Sequence, residues 1–341
     1  MKYDKKNNPE TVHNEIMKSV KKYQNPILSS SIFQVASTIP SLILCYYLIY
    51  YGLKRDFFWS LLLTPIASGL SIRTFILQHD CGHGSLFKSR RVNDFIGWLC
   101  SLLTLTPYDH WKKHHSLHHA SWNNLDTRGR ISDFYSDCMT VADYQKMTRL
   151  KKFFYRMSKQ SFLTIFLMPP IIFFIVYRFA FDTPLHWVRE RVGVYATNIC
   201  LLGIYGTLSL YLGLKSVILV SFMVIYPASI IGVWLFLIQH KFENVQWSAH
   251  PEWNSYDAAV MGCSFLRLPR VMRWFTGDIG THHIHHMAPG IPNYRLVSCH
   301  DAHPVFQGVK ILNWRDGIRE ARTNVLWDEK TKTMVNLHSV R

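Results

Sequence analysis

FFWSLLLTPIASGLSIRTFILQ at residues 57–78 runs directly into His79-Asp80-Cys81-Gly82-His83, so an apolar stretch long enough to cross a bilayer ends on two histidines at i and i+4. A span needs about 20 mostly apolar residues to cross roughly 30 Å of hydrocarbon. Arg73 is compatible with a span, because it lies near one end and can reach the head groups. On a helix, positions i and i+4 share a face, so both imidazoles can point at one metal. Alone, HxxxH fits two surface histidines equally well. The fold then turns on how many other spans there are, and on whether further histidines return to the same side of the bilayer.

Residues 30–51, 195–214 and 216–238 also have span length and composition. GLKRD separates the first two spans and Gly213-Leu214-Lys215-Ser216 the last two, so each pair reads as an antiparallel hairpin. The stretch 95–108 is too short to cross and reads as re-entrant or interfacial. In 161–180, Pro169-Pro170 removes two backbone donors in mid-run, so this stretch also reads as broken, re-entrant or interfacial. Parity supports that choice: a crossing there would put residues 239–341 on the side opposite 79–159. The expected architecture is an all-α integral membrane protein with four transmembrane helices and a helical cap built from 79–159 and 239–330. A basic N-terminal segment (1–28) precedes the membrane domain (29–330), and a short tail (331–341) follows it. With the basic N-terminus inside, the cap faces the cytosol.

The formal charge of +16 follows from the Lys and Arg that collect on the cytoplasmic side of a multispanning protein. It would also attract anionic head groups or an acidic electron donor. No motif supports nucleic-acid binding, no short apolar segment with a cleavage site suggests a secretory leader, and no signal fixes the oligomeric state. The seven cysteines are scattered without a CxxC pair, which argues against a disulfide framework or zinc ribbon and for a reducing compartment.

Two further clusters carry the chemistry. His115, His118 and His119 stand at i, i+3 and i+4, and His282, His285 and His286 repeat that spacing. At this histidine frequency an HxxHH window arises by chance roughly once in several thousand. Crowded imidazoles repel when protonated and gain little unless they share a cation. Eight histidines in three clusters, without thiolate, imply two metals rather than one structural zinc. Such a pair suits oxygen activation, the task being to break an unactivated C–H bond while the protein positions one methylene. His240, at the end of the last span, reads from position alone either as an interfacial histidine or as a further ligand.

HDCGHGSLF at 79–87, the stretch from Leu105 to Gly129 ending HHASWNNLDTRG, and TGDIGTHHIHHMAPGIPNYRL at 276–296 resemble the three histidine boxes of the membrane fatty acid desaturases. The likeness covers roughly residues 30–330 and leans to the bacterial Δ12 (omega-6) acyl-lipid branch. It implies a four-span stem, a cytosolic cap holding two iron ions, a narrow acyl tunnel and a bacterial inner-membrane location. It also implies a ninth ligand where the last span ends, which singles out His240. Carried over by position, the ligands would be His79, His83, His115, His118, His119, His240, His282, His285 and His286. Stearoyl-CoA desaturases place an asparagine four residues before that ninth histidine, where this chain has Phe236. Among the acids beside the boxes, Asp80 and Asp278 are expected to orient imidazoles and raise their basicity, with Asp126 and Asp301 on the cap surface. His110, His114, His283, His300 and His303 are expected to lie outside the ligand set.

The expected reaction is O2-dependent insertion of a cis double bond into a lipid-linked acyl chain. The resemblance points to Δ12/omega-6 of an oleoyl chain, with regiochemistry set by tunnel depth. No His-Pro-Gly-Gly haem-binding segment is present, so a separate ferredoxin or cytochrome is expected to supply electrons, with the basic cap as its dock. Hydroxylation or acetylenation on the same scaffold is the nearest alternative. A metal transporter is the distant one, since its histidines would sit at membrane depth rather than at span ends.

Overall fold

A computed structural model describes residues 9–128, 138–160 and 165–340; Gly129 of the second motif, Lys2, Lys5 and Lys6 of the basic N-terminus and residues 161–164 lie outside the described residues. Among the described residues, four helices are long and apolar enough to cross a membrane: Leu28–Lys54, Phe58–His83, Val188–Leu212 and Leu214–His240. The expected four-span, all-α architecture is the observed one. Short helices and two small sheets complete the cap.

After α1 (Pro9–Lys21), the first hairpin is α2 (Leu28–Lys54) and α3 (Thr64–His83), the latter led in by a 3-10 turn over Phe58–Leu63. α3 is the central span, with 56% of its apolar window buried inside the protein. It therefore sits where other elements can close on its end. α4 (Arg90–Thr104) packs back along α3 instead of crossing, and α5 (Tyr108–Ser121) carries the second box. Arg73 does not reach the head groups. It is buried, its Nε donates to Thr38 Oγ1 at 3.2 Å, its guanidinium stacks over Trp274 at 4.3 Å, and it donates to the Trp274 carbonyl. The reason is that Trp274 belongs to a cap helix lying against α3, so the charge finds a carbonyl and an aromatic face inside the protein.

α6 (Val141–Gln145) and α7 (Arg149–Gln160) lead to α8 (Met168–Phe174), which is too short to span. Pro169 and Pro170 do not kink a longer helix there. They fill the first positions of α8, where the missing N–H has no intrahelical partner to lose. The second hairpin is α9 (Val188–Leu212) and α10 (Leu214–His240), divided at Gly213 alone, whose φ of 84° suits glycine.

The cap contains α11 (Ser255–Val260), α12 (Arg270–Phe275), α13 (His282–Met287), α14 (Leu296–Asp301) and α15 (Trp314–Thr323). β1 (Met139–Thr140) pairs in parallel with β4 (Leu326–Asp328), which pairs antiparallel with β5 (Thr333–Val335); β2 (Phe265–Leu266) pairs in parallel with β3 (Ile311–Leu312). Residues 333–335 are thus a strand of the cap, and Leu337 beyond it is buried. Two apolar clusters tie the cap to the stem. Leu235, Ile238 and Phe242 at the end of α10 pack with Trp122, Trp247 and Trp327. Ile16 and Val20 of α1 pack with Ile284, Met287 and Ile291, so the N-terminal segment braces the third box from behind.

Candidate metal centre

α3 continues past the expected end of its span to His83 and stops at Gly84, whose φ of 71° is the left-handed cap conformation. His79 and His83 thereby occupy its last two turns. α5 supplies His115, His118 and His119, α10 ends on His240, and α13 consists almost wholly of the third box. The loop before α13 fixes the docking of that box. Gly277 and Asp278 both have φ of 54°, and a Cβ on Gly277 would stand 2.6 Å from Ile76 Cγ2. Ile76 lies three residues before His79, so only glycine lets the loop seat box three against box one.

All nine expected ligands meet, and they divide five and four. In the first set, His285 Nε2 lies 3.0 Å from His79 Nε2 and 2.9 Å from His119 Nε2, and His119 Nε2 lies 3.1 Å from His115 Nε2. The His83 ring is 4.7–5.0 Å from the rings of His79, His115, His119 and His285, and its Nε2 is buried without a hydrogen-bond partner. In the second set, His240 Nε2 lies 3.0 Å from His282 Nε2 and 3.2 Å from His118 Nε2, which is 3.3 Å from His286 Nε2. His119 of one set stacks on His286 of the other at 4.1 Å.

These spacings fit metals. With an imidazole nitrogen about 2.1 Å from a first-row ion, two ligands at right angles stand about 3.0 Å apart. Hydrogen bonding fits less well, because a ring nitrogen that donates one proton cannot satisfy two facing nitrogens, as His285 Nε2 would have to. Burial, reinforced by neighbouring imidazoles, holds His115, His119, His282, His285 and His286 well below the ordinary histidine range. Neutral rings with free lone pairs are what a metal requires. Cys263 lies near the second set, but its Sγ is 3.8 Å from His240 Nδ1, the nitrogen opposite the meeting point, and burial keeps the thiol protonated.

The outer contacts differ for the two acids singled out by sequence. Asp80 Oδ1 is 3.3 Å from His79 Nδ1, while Oδ2 accepts from Asn293 N at 2.7 Å and Nδ2 at 2.8 Å. Asn293 also exchanges two hydrogen bonds of 2.9 Å with Gln34. The Asp278 carboxylate turns to Arg273 Nε at 2.5 Å and makes no hydrogen bond to a ring of the cluster among the described residues. Sequence reasoning missed Asn293 and Gln34; the only signal for Asn293 was its place inside the third motif. Trp111 was also missed. It stacks on His115 at 4.5 Å and 17°. Phe236 packs at 5.2 Å on His118 and 5.0 Å on His240, closing the second set with an apolar ring.

The other histidines pair elsewhere. His110 Nε2 is 2.9 Å from Asp182 Oδ1, with His114 at 3.9 Å from the same carboxylate. His283 meets His300 at 2.9 Å, and His303 meets Ser19 at 2.5 Å. Asp126 accepts from the His250 backbone at 2.7 Å.

A cavity of about 610 Å³ opens from the cluster, with His79, His115, His118 and His282 in its wall. Along α10 it is lined by Ile225, Ser229, Gly232 and Phe236, one face of the helix. At 1.5 Å per residue those positions extend for about 16 Å. α3 contributes Ile72 and Phe75, and α8 closes the side with Ile172 and Phe173. Its size lies within the range of about 300–1,000 Å³ of small-molecule sites, and its wall is chiefly apolar.

The sequence profile of the fatty acid desaturases matches residues 57–310. The chain is 35% identical over 327 residues to a fatty acid desaturase of Bacillus subtilis (strain 168), covering 96% of this chain and 91% of that one. It is 26% identical over 265 residues to an sn-1 acyl-lipid omega-3 desaturase (ferredoxin) of Synechocystis sp., covering 74% and 65%. It is 23% identical over 255 residues to an sn-1 oleoyl-lipid 12-desaturase of Synechocystis sp., covering 74% and 70%. With the histidine sets at the end of a four-span stem, these likenesses establish that the chain belongs to the fatty acid desaturase family.

Proposed function

We propose that this fatty acid desaturase inserts a cis double bond at Δ12 (omega-6) of an oleoyl chain carried on a membrane lipid, using two irons. His79, His83, His115, His119 and His285 would hold one, and His118, His240, His282 and His286 the other. The observation that carries this reading is the opening of both nitrogen sets onto one apolar cavity. When bound, the irons supply an oxidant from O2 that removes two hydrogens from adjacent methylenes.

The chain's own residues do the rest. Asp80 accepts from His79 Nδ1–H, which fixes the tautomer and leaves the Nε2 lone pair facing inward. Asn293 holds that carboxylate in place from the other side. Phe75, Phe173 and Phe236 exclude water and confine the chain laterally, so the methylene presented to the cluster depends on how deep the chain can travel. The Synechocystis relative named as a 12-desaturase supports the Δ12 position. Two relatives carry ferredoxin in their names, and the formal charge of +16 suits a small acidic one-electron carrier docking on a cap that faces the cytosol.

Lipid profiling of a heterologous host fed oleate, with the wild-type chain or with His285→Ala, tests the proposal. A new diene with its second bond at Δ12, absent from the variant, is the expected result. A hydroxylated product without a new double bond, or a diene at another position, would overturn the assignment.

A further inference from the structure

We propose that α7 lies in the head-group layer of the leaflet beside the cap and gathers anionic phospholipid there. Its sequence, RLKKFFYRMSKQ, places Leu150, Phe153, Phe154 and Met157 at i, i+3, i+4 and i+7, a single apolar stripe. The stripe faces outward at three of these positions: Leu150 is 66% exposed, Phe153 56% and Phe154 61%. The opposite face is the one that docks on protein. Tyr155 packs into the cluster around Tyr144, Leu326 and Leu337, with its hydroxyl donating to the Val325 carbonyl at 3.4 Å. Arg156 Nε donates to the Tyr144 hydroxyl at 2.7 Å, and the Lys152 ammonium stands 5.4 Å over the Tyr144 ring. A helix on a water-soluble surface is arranged the other way round, apolar face to the core.

Two observations commit the covering phase to an anionic bilayer rather than to a protein. First, α7 carries Arg149, Lys151, Lys152, Arg156 and Lys159 with no acidic residue, and Arg149 and Lys151 project about 100° to either side of Leu150. Basic residues flanking an apolar stripe are the pattern of a helix lying in the interface. Second, large apolar side chains are also exposed at Leu167, Ile175, Phe179 and Phe181, in the segment whose Ile172 and Phe173 line the cavity.

The test uses the full chain in nanodiscs, in a Cys200→Ser background because the other six cysteines are buried. A nitroxide is placed at Phe154→Cys, with Lys330→Cys on the exposed β4–β5 turn as the water reference. The expected result is collision with O2 well above collision with a water-soluble nickel chelate at 154, and the reverse at 330. Spin-labelled phosphatidylglycerol should be immobilised in preference to phosphatidylcholine. That preference should fall roughly fivefold for each charge removed in Arg149→Gln and Lys151→Gln. Chelate accessibility at 154 equal to that at 330 would overturn the interfacial placement. A label at 154 shielded from both probes would show a protein partner instead, and equal immobilisation of the two lipids would overturn the anionic preference.

Discussion

His285 Nε2 lies 3.0 Å from His79 Nε2 across 206 residues of chain, and 2.9 Å from His119 Nε2, so one ring nitrogen joins all three histidine boxes. Its removal should cost more than one ligand's share. His285→Ala is expected to release iron from the five-histidine set, leaving at most about half the wild-type iron by elemental analysis. Activity should fall by more than the roughly 10–100-fold typical of losing an outer partner. His250→Ala, whose ring is 3.3 Å from the Asn124 side chain away from both sets, should retain both iron and activity. Equal iron in the two variants would refute the central place given to His285.

Asp80 makes a separable contribution, because it touches His79 Nδ1 and not the meeting point. Asp80→Asn preserves shape but replaces the acceptor with a group that can offer an N–H to the ring. Iron affinity is expected to drop about 10–100-fold with the helices intact by circular dichroism. Asn293→Ala removes the Nδ2 donor from the same carboxylate, keeps the backbone N–H, and should act through Asp80. In a double-mutant cycle the pair should then be strongly non-additive. Additive losses would mean that the two residues act independently.

The spans and eight of the nine histidines were legible because each is a local pattern: about 20 apolar residues, or imidazoles at i, i+3 and i+4. His240, alone at a span end, was singled out only by the family resemblance. Even the parity of crossings was legible, since histidines that share metals must lie on one side. What stayed hidden depends on which segments meet. Arg73 looked like a residue reaching for head groups, because only the tertiary fold shows Trp274 stacked over it. Pro169 and Pro170 read correctly as ruling out a span, yet their position at the start of α8 needs the true helix boundary. Asp80 and Asp278 were equivalent in sequence, each next to or near a box. Arg273, five residues before Asp278, takes that carboxylate, whereas Asp80 binds Asn293 through Oδ2 and keeps Oδ1 3.3 Å from His79 Nδ1. The five-and-four division was also hidden, because His118 and His119 are neighbours in sequence but project to different sets.

Acid should destabilise the metal-free protein in a specific window. His115, His119, His282, His285 and His286 are all held well below the ordinary histidine value by burial and by neighbouring imidazoles, and His283 by burial and by His300. The unfolded chain takes up protons near pH 6.5 while the folded one does not, so the unfolded state binds more protons and stability falls as pH drops below about 6.5. Protons also compete with metal for the same nitrogens, so iron retention should follow the same direction. Thermal melts of the chelator-treated protein in detergent at pH 7.5 and 5.5 would check the sign. An unchanged or higher midpoint at 5.5 would mean that these rings are not held neutral.

Gly232 offers a way to change the cavity without touching a ligand. It lies in the cavity wall on α10, one turn from Phe236, and a Cβ built there meets nothing within 4 Å. A larger side chain can therefore enter the cavity without displacing a neighbour. Replacing a mid-helix glycine should also favour the helix by up to about 1 kcal/mol, so Gly232→Leu is expected to fold at least as well as wild type. If an acyl chain occupies this space, the added isobutyl group shortens the usable depth. Turnover of 18-carbon chains should then fall at least about tenfold, a loss of about 1.4 kcal/mol in transition-state stabilisation, while shorter chains are affected less. Gly206 on α9 is the control, since a Cβ there also meets nothing within 4 Å but the residue does not line the cavity. Competition assays with mixed acyl lengths would decide the point. An unchanged product profile in Gly232→Leu, or the same shift in Gly206→Leu, would show that the acyl chain runs elsewhere.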